Sequence, residues 1–414
     1  MPAPLDRPRP PAQQRTAGSG TDPAAALPPA GDDNAVVHLV SQLDADIVHL
    51  LGPATAALAR SGSAQTVVLI DHPGSRPWLT QLDASAALVL VAAQRNPVAQ
   101  WRALGAAFAA CVAEQRPQVV HLHGFVACLL GERVLGALDS STPAFYSPHG
   151  SSALGTLRPL ATLAHLLGRS GRGAATARAI GHGTAEADGL QGRLHRSVAL
   201  IEGPVDRAYF EVGAHAARHP LVVSASRAGD VRGAEAFDQL AVLLGGDALG
   251  LAFNWIGPVD AVAAARMHAA HVGVFSTQVH TERATRLAAA WMFVALASGR
   301  GFPLCLAEAM AAGLPCVALD TPAHRGVVLH GVTGYLCQDQ AEVIARIAQL
   351  ADAPGLRERL GLAGRALSLE RFGQHRFEDT LLAAYGASAP RPAEALQPPP
   401  AWSRQDTAAE SDRL

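Results

Sequence analysis

The sequence predicts an α/β protein built from two doubly wound halves that face a central cleft. Three observations lead there. Short apolar runs alternate with longer amphipathic ones through residues 35–385, which is the strand-then-helix pattern of parallel sheets covered on both faces. The alternation starts afresh after Pro204. With 414 residues, the chain is long enough for two or three domains, each with its own core.

Residues 1–34 are rich in Pro, Ala and polar residues and have no periodicity, so a disordered tail is expected there. They contain no apolar core of the signal-peptide kind. The first half, 35–204, opens with a strand at 36–40 and a helix reaching Arg60. Strands at 66–70 and 87–92, a helix over 101–115 and a strand at 119–122 follow. The second half, 205–372, has candidate strands at 221–224, 252–256, 272–275, 291–296, 316–319 and 334–337. A C-terminal helix is expected at 373–387 and a second disordered tail at 388–414. No repeat of about 20 to 50 residues signals a solenoid.

Composition excludes several functions. The 33 basic and 35 acidic residues nearly balance, so neither a nucleic-acid field nor a polybasic membrane patch is present, and no nucleic-acid partner is expected. None of the basic residues is a lysine. A P-loop needs its lysine on the phosphates, and pyridoxal phosphate needs an amine for its Schiff base, so both chemistries fall away. Cys111, Cys128, Cys305, Cys316 and Cys337 are widely spaced, without Cys-x-x-Cys, and read as reduced core thiols. The histidines lie singly, with no close pair joined to a third ligand, so no metal is expected. No apolar run reaches the roughly 18 to 20 residues of a membrane span, and a cytoplasmic protein is expected.

The most specific stretch is SGRGFPLCLAEAMAAGLPCVAL, residues 298–319. Here the strand at 291–296 runs into a loop at 297–303 and a helix at 304–312, ended by Gly313 and Pro315. In open α/β sheets ligands bind beyond the carboxyl ends of strands, where glycine lets backbone approach and helix N-termini face anions. Glu308 lies in the second turn of that helix. Its carboxylate can accept two hydrogen bonds from a diol such as ribose, while free N–H groups at the helix start meet a diphosphate.

GRGFPLCLAEAMAAGLPCVALD, followed by GVVLHGVTGYLC at 326–337, resembles the donor-binding region of the family 4 glycosyltransferases. These are retaining enzymes of the GT-B fold, with two Rossmann-like domains. PQVVHLHG at 117–124, AFYSPHG at 144–150, ALIEGPVDRAYF at 199–210 and VVSASRAGDVRGAEAF at 222–237 follow in the family's order. The resemblance implies transfer of a hexosyl group from a UDP- or GDP-linked sugar to a saccharide, lipid-linked or small-molecule acceptor. It also implies retention of configuration, no metal or other cofactor, and a place in polysaccharide biosynthesis. Arg227 stands for the family arginine and Arg232 for its lysine, the two cations on the donor diphosphate, and a planar guanidinium suits phosphate. Glu308 stands for the ribose-binding glutamate, with Gly301, Phe302, Pro303 and Leu304 along the donor. His149 is similar to the histidine near the transferred sugar, where a ring N–H stabilises developing charge. His121 and His123 line the same sheet end. Lipid-linked acceptors leave peripheral membrane contact open, although no basic amphipathic helix argues for docking.

Two departures bear on activity. Arg300 stands where the family has a glutamate that contacts the donor sugar, and it reverses the charge there. Three outcomes follow: an acidic donor such as a uronic acid, a sugar held by backbone at Gly301 and Phe302, or loss of transfer. After the first strand, VSQLDADIVHLLGPATAAL has no paired glycines, and Asp44 and Asp46 are expected on that loop instead. These features keep open a non-catalytic relative that binds a nucleotide sugar or a partner glycosyltransferase. A nicotinamide dehydrogenase is disfavoured, because GRGAAT at 171–176 only approaches Gly-x-Gly-x-x-Gly and follows no clear strand.

Overall fold

The computed structural model describes residues 14–17, 35–149, 177–194, 198–212, 220–227, 231–245, 250–296 and 301–386. The first half runs β1 (Gln14–Ala17), β2 (Val36–Val40), α1 (Ala45–Arg60), β3 (Gln65–Asp71), β4 (Ala87–Ala92), α2 (Pro97–Gln115), β5 (Val119–His123), α3 (Phe125–Ala137), β6 (Ala144–Ser147), β7 (Arg178–Gly181), α4 (Thr184–Leu194) and β8 (Val198–Leu200). The second opens with α5 (Arg207–Glu211), β9 (Leu221–Ala225), α6 (Val231–Leu244), β10 (Ala252–Ile256), α7 (Ala261–Ala269), β11 (Val272–Phe275) and α8 (His280–Ala288). It continues with β12 (Met292–Ala295), α9 (Leu304–Ala311), β13 (Cys316–Leu319), α10 (Pro322–Arg325), β14 (Gly334–Cys337), α11 (Gln340–Asp352) and α12 (Pro354–Phe372), and α13 (Gln374–Gly386) ends the chain's described part.

Both sheets are parallel and doubly wound, as expected. The first is ordered β1-β4-β3-β2-β5-β6-β7-β8 and the second β11-β10-β9-β12-β13-β14. The direction of winding reverses between β2 and β5, and again between β9 and β12. At such reversals the flanking loops part and leave a crevice beyond the strand ends. The central strands are buried on both faces, which is why VVHLV in β2 and VVHLH in β5 read as nearly continuous runs rather than alternating ones. Strand β1 lies inside the stretch expected to be disordered. It pairs with β4, Gln14 opposite Leu88, and a sheet edge accepts any extended segment through backbone bonds that leave no side-chain pattern.

The loop expected to carry Asp44 and Asp46 is a helix start instead. The Asp44 carboxylate caps α1 by accepting from the amides of Asp46 and Ile47, and Asp46 occupies the first turn. At the other end of the molecule the chain crosses back. Phe377, Leu381 and Tyr385 of α13 pack with Val36, Leu50, Phe145 and Ile180 of the first half. Arg371 at the end of α12 pairs with Glu202 of the segment that joins the halves, and Val205 N donates to Phe372 O at 2.8 Å. No described helix is long and apolar enough to cross a membrane.

Candidate functional site

The loops after β9 and β12 meet at the second switch point. Arg227 follows β9; its Nε donates to Glu308 Oε1 at 3.1 Å, and its Nη2 pairs with the same oxygen. From below, Arg283 of α8 reaches Glu308 Oε2 at 3.5 Å. The Tyr209 hydroxyl accepts from Arg227 Nη2 at 3.4 Å and from Arg283 Nε at 3.3 Å, and His280 Nδ1 accepts from Arg227 at 3.2 Å. The Glu308 side chain is 1% exposed and that of Arg283 is 0% exposed. Burial pushes the Glu308 carboxyl up, but the charges of Arg227 and Arg283 and the bond from Arg227 outweigh it and hold it below the usual range. Burial raises the Tyr209 phenol, which therefore stays a neutral partner.

Sequence reasoning pointed to Arg227 and Glu308 and missed Arg283, Tyr209 and His280. One signal was available. In HTERATRLA the buried positions are Arg283, Ala284, Leu287 and Ala288, so an arginine occupies the inward phase of an amphipathic helix. Arg283 also donates to the carbonyls of Ser226 at 3.3 Å, Ile256 at 3.4 Å and Thr277 at 3.4 Å. It thereby ties together the chain beyond β9, β10 and β11.

The start of α9 is less open than expected. Leu304 N donates to Phe302 O at 2.8 Å, while Leu306 and Ala307 donate to Pro303 O at 3.0 and 3.2 Å. Three amides of this first turn are thus satisfied by the loop that folds back onto them, and Leu304 offers no free N–H to a diphosphate. Phe302 wedges between the halves: its ring meets Phe372 at 5.1 Å between centroids. A Cβ added at Gly183 or Gly203 would stand 3.4 or 3.2 Å from its ring. Beside it, a small cavity is lined by Gly301, Phe302 and Pro303 together with Gly183, Thr184 and Glu202.

Residues 234–353 match the family described as Glycosyl transferases group 1. The matched segment contains Arg283 and Glu308 and begins after Arg227 and Arg232. Over 88 residues the chain is 34% identical to N-acetyl-alpha-D-glucosaminyl L-malate synthase of Bacillus anthracis, 21% of this chain and 23% of that protein. The chain spans about a quarter of the length of the curated relatives it matches, 25% and 23%. Among solved structures it is similar to Anabaena HepE in complex with UDP-glucose, with a TM-score of 0.69 and 15% identity over 84% of this chain and 98% of that one. It is also similar to sucrose-phosphate synthase from Thermosynechococcus elongatus, with a TM-score of 0.63 and 16% identity over 85% and 98%. At these identities the likeness carries the fold alone, and the fold is GT-B.

The other expected residues are not gathered at that point. Arg232 is exposed on the first turn of α6 and is not among the groups around Glu308. Arg300 lies outside the described residues. In the first half, His149 follows β6 in the left-handed region, φ +50°, and is half-buried. Its Nε2 faces His123 Nδ1 at 2.9 Å. His121 and His123 are 3% and 1% exposed; His123 is the last residue of β5, at the sheet end as expected, and His121 lies two residues further in.

Proposed function

We propose that the chain is a glycosyltransferase that moves a hexosyl group from a UDP- or GDP-linked sugar to a saccharide, lipid-linked or small-molecule acceptor, with retention of configuration. The observation that carries this reading is the meeting of Arg227 and Glu308 at the switch point between β9 and β12. The relative solved with UDP-glucose supports a uridine donor. An incoming diphosphate competes with Glu308 for Arg227. When Arg227 turns to the phosphate, Arg283 still neutralises the Glu308 carboxylate, which can then accept from ribose hydroxyls. Arg232, exposed on α6 and apart from the groups around Glu308, is the second cation that the resemblance implies. As the bond from sugar to phosphate breaks, the charge growing on the diphosphate is met by these guanidinium groups, so the transfer step needs no metal. His149 approaches the sugar from the first half.

The helix start capped by Asp44, where the family carries paired glycines, favours a second reading, binding of a nucleotide sugar or partner without turnover. Release of nucleoside diphosphate from a panel of nucleotide sugars, with and without acceptors, separates the two. Transfer predicts release that disappears in Arg227→Ala and Glu308→Ala; binding without release across the panel would replace it with the second reading. If Arg300 silences or retunes the site, Arg300→Glu raises turnover of a neutral donor, and unchanged turnover removes that role.

A further inference from the structure

We infer that the first half holds one first-row transition metal ion on the buried rings of His38, His121 and His123. The ion site lies in the sheet and does not rest on the donor-site reading, although His123 touches His149, the first-half residue of that reading.

Strands β2 and β5 are neighbours with His38 directly opposite His121, and His123 two residues further along β5. Side chains two apart on a strand, and directly opposite on its neighbour, share one face. One nitrogen from each of these three rings can be chosen so that all lie within 4.8 Å of one another. His38 Nδ1 and His123 Nε2 already face each other at 3.0 Å. An ion with bonds of about 2.0 to 2.1 Å holds such nitrogens roughly 3.3 Å apart, so ring shifts on the order of 1 Å close the site.

The second nitrogens support the same reading. His121 Nδ1 bonds the Tyr385 hydroxyl at 2.6 Å, and His123 Nδ1 bonds His149 Nε2 at 2.9 Å. Ligating imidazoles are ordinarily held in this way from behind. Ser147 Oγ, 2.7 Å from His121 Nε2, brings a hydroxyl to the same place. His38 Nε2, by contrast, is buried without a partner among the described residues. Burial pushes His38 down to about 3 and holds His121 and His123 well below their ordinary value, so these rings are neutral and keep their lone pairs at neutral pH.

The donor set narrows the ion. Hard Mg²⁺ and Ca²⁺ seek oxygen, whereas imidazole suits zinc, copper, nickel and cobalt. With no carboxylate among the three rings the ion's charge stays uncompensated, and the cost of burying charge grows with its square. Copper(I) therefore fits better than a divalent ion, and zinc comes next if hydroxide completes its shell. Such an ion would pin β2 to β5 and, through His121 and Tyr385, to α13. Sequence spacing predicted no metal because His38 and His123 are 85 residues apart and meet only through strand order.

The test uses the full chain, expressed without a histidine tag and stripped with EDTA. It is titrated with Zn²⁺ and, anaerobically, with copper(I), and bound metal is measured after gel filtration. About one ion per chain is expected, with about three imidazoles in the X-ray absorption spectrum and affinity lowered about tenfold or more in His38→Gln and His123→Gln. The exposed His268 and His271 are a competing surface pair, and their double Gln variant should keep the ion. No retained ion, retention unchanged in His38→Gln, or loss in the His268/His271 variant would each overturn the site. If His38→Gln does not fold, the absorption spectrum of the natural chain decides: fewer than about two imidazoles rejects it.

Discussion

Glu308 shows how a carboxylate keeps its charge where water is excluded. It is buried between two guanidinium groups, and its charge is retained because they outweigh desolvation. Breaking such a buried pair costs more than the pair contributes, since the remaining charge loses its partner. Glu308→Gln should therefore lower stability by about 3 kcal/mol, measured by urea unfolding; a loss below about 1 kcal/mol would mean that the arginines are hydrated. Histidines give the acid response. His49 and His182 are held below their ordinary value near 6.5 mainly by burial. The unfolded chain thus takes up protons first as pH falls, and stability present above about 6.5 is lost progressively below it, by up to about 1.4 kcal/mol per pH unit for each ring. With EDTA present, His49→Gln should flatten the slope between pH 6.5 and 5 by about one ring's share. An unchanged slope would show that His49 does not titrate between the two states.

Among elements, the strand ends matter more than the strands. Gly257 follows β10 with φ +142°, and a Cβ there would lie 2.1 Å from Ser226 O, one residue before Arg227. Gly257→Ala should cost about 1 to 3 kcal/mol and weaken nucleoside diphosphate binding, because the loop carrying Arg227 must move. Gly189, inside α4, has nothing within 4 Å of an added Cβ. There the alanine variant should gain about 0.5 to 1 kcal/mol and leave binding unchanged. Matching losses in both variants would show that Gly257 is an ordinary loop glycine. Helix α12 supports the same site from behind: Ser368 Oγ donates to Ala307 O at 3.1 Å and Arg365 Nη1 to Ala311 O at 2.9 Å, so the helix bearing Glu308 is held at its C-terminal side.

On the scale of the whole molecule, α13 joins two halves that are otherwise separate sheets. Its Phe377, Leu381 and Tyr385 are 3%, 2% and 7% exposed and complete the first half's core. Arg60 pairs with Glu378 at the rim, where exposure leaves little stabilisation. Ending the chain after Phe372 should therefore remove about 5 kcal/mol of apolar burial and lower the thermal midpoint of the first half. A midpoint equal to that of the full chain would show that α13 merely rests on the surface.

The strands were legible because parallel strands buried on both faces are short, apolar and bounded by turn residues. Runs at 36–40, 87–92, 252–256, 272–275, 316–319 and 334–337 begin and end where β2, β4, β10, β11, β13 and β14 do. Glu308 was legible from its place in the helix after a glycine-bearing loop, and Arg227 through the family resemblance of the stretch after β9. Arg283, which completes the site, was not: it looks like one more arginine on a helix, as His38 of the first half looks like one more residue in a strand. Hydropathy and spacing record contacts within a segment. A charge buried between segments is decided by which strand ends the sheet order brings together, and only there does the loss of water make Glu308 need Arg283.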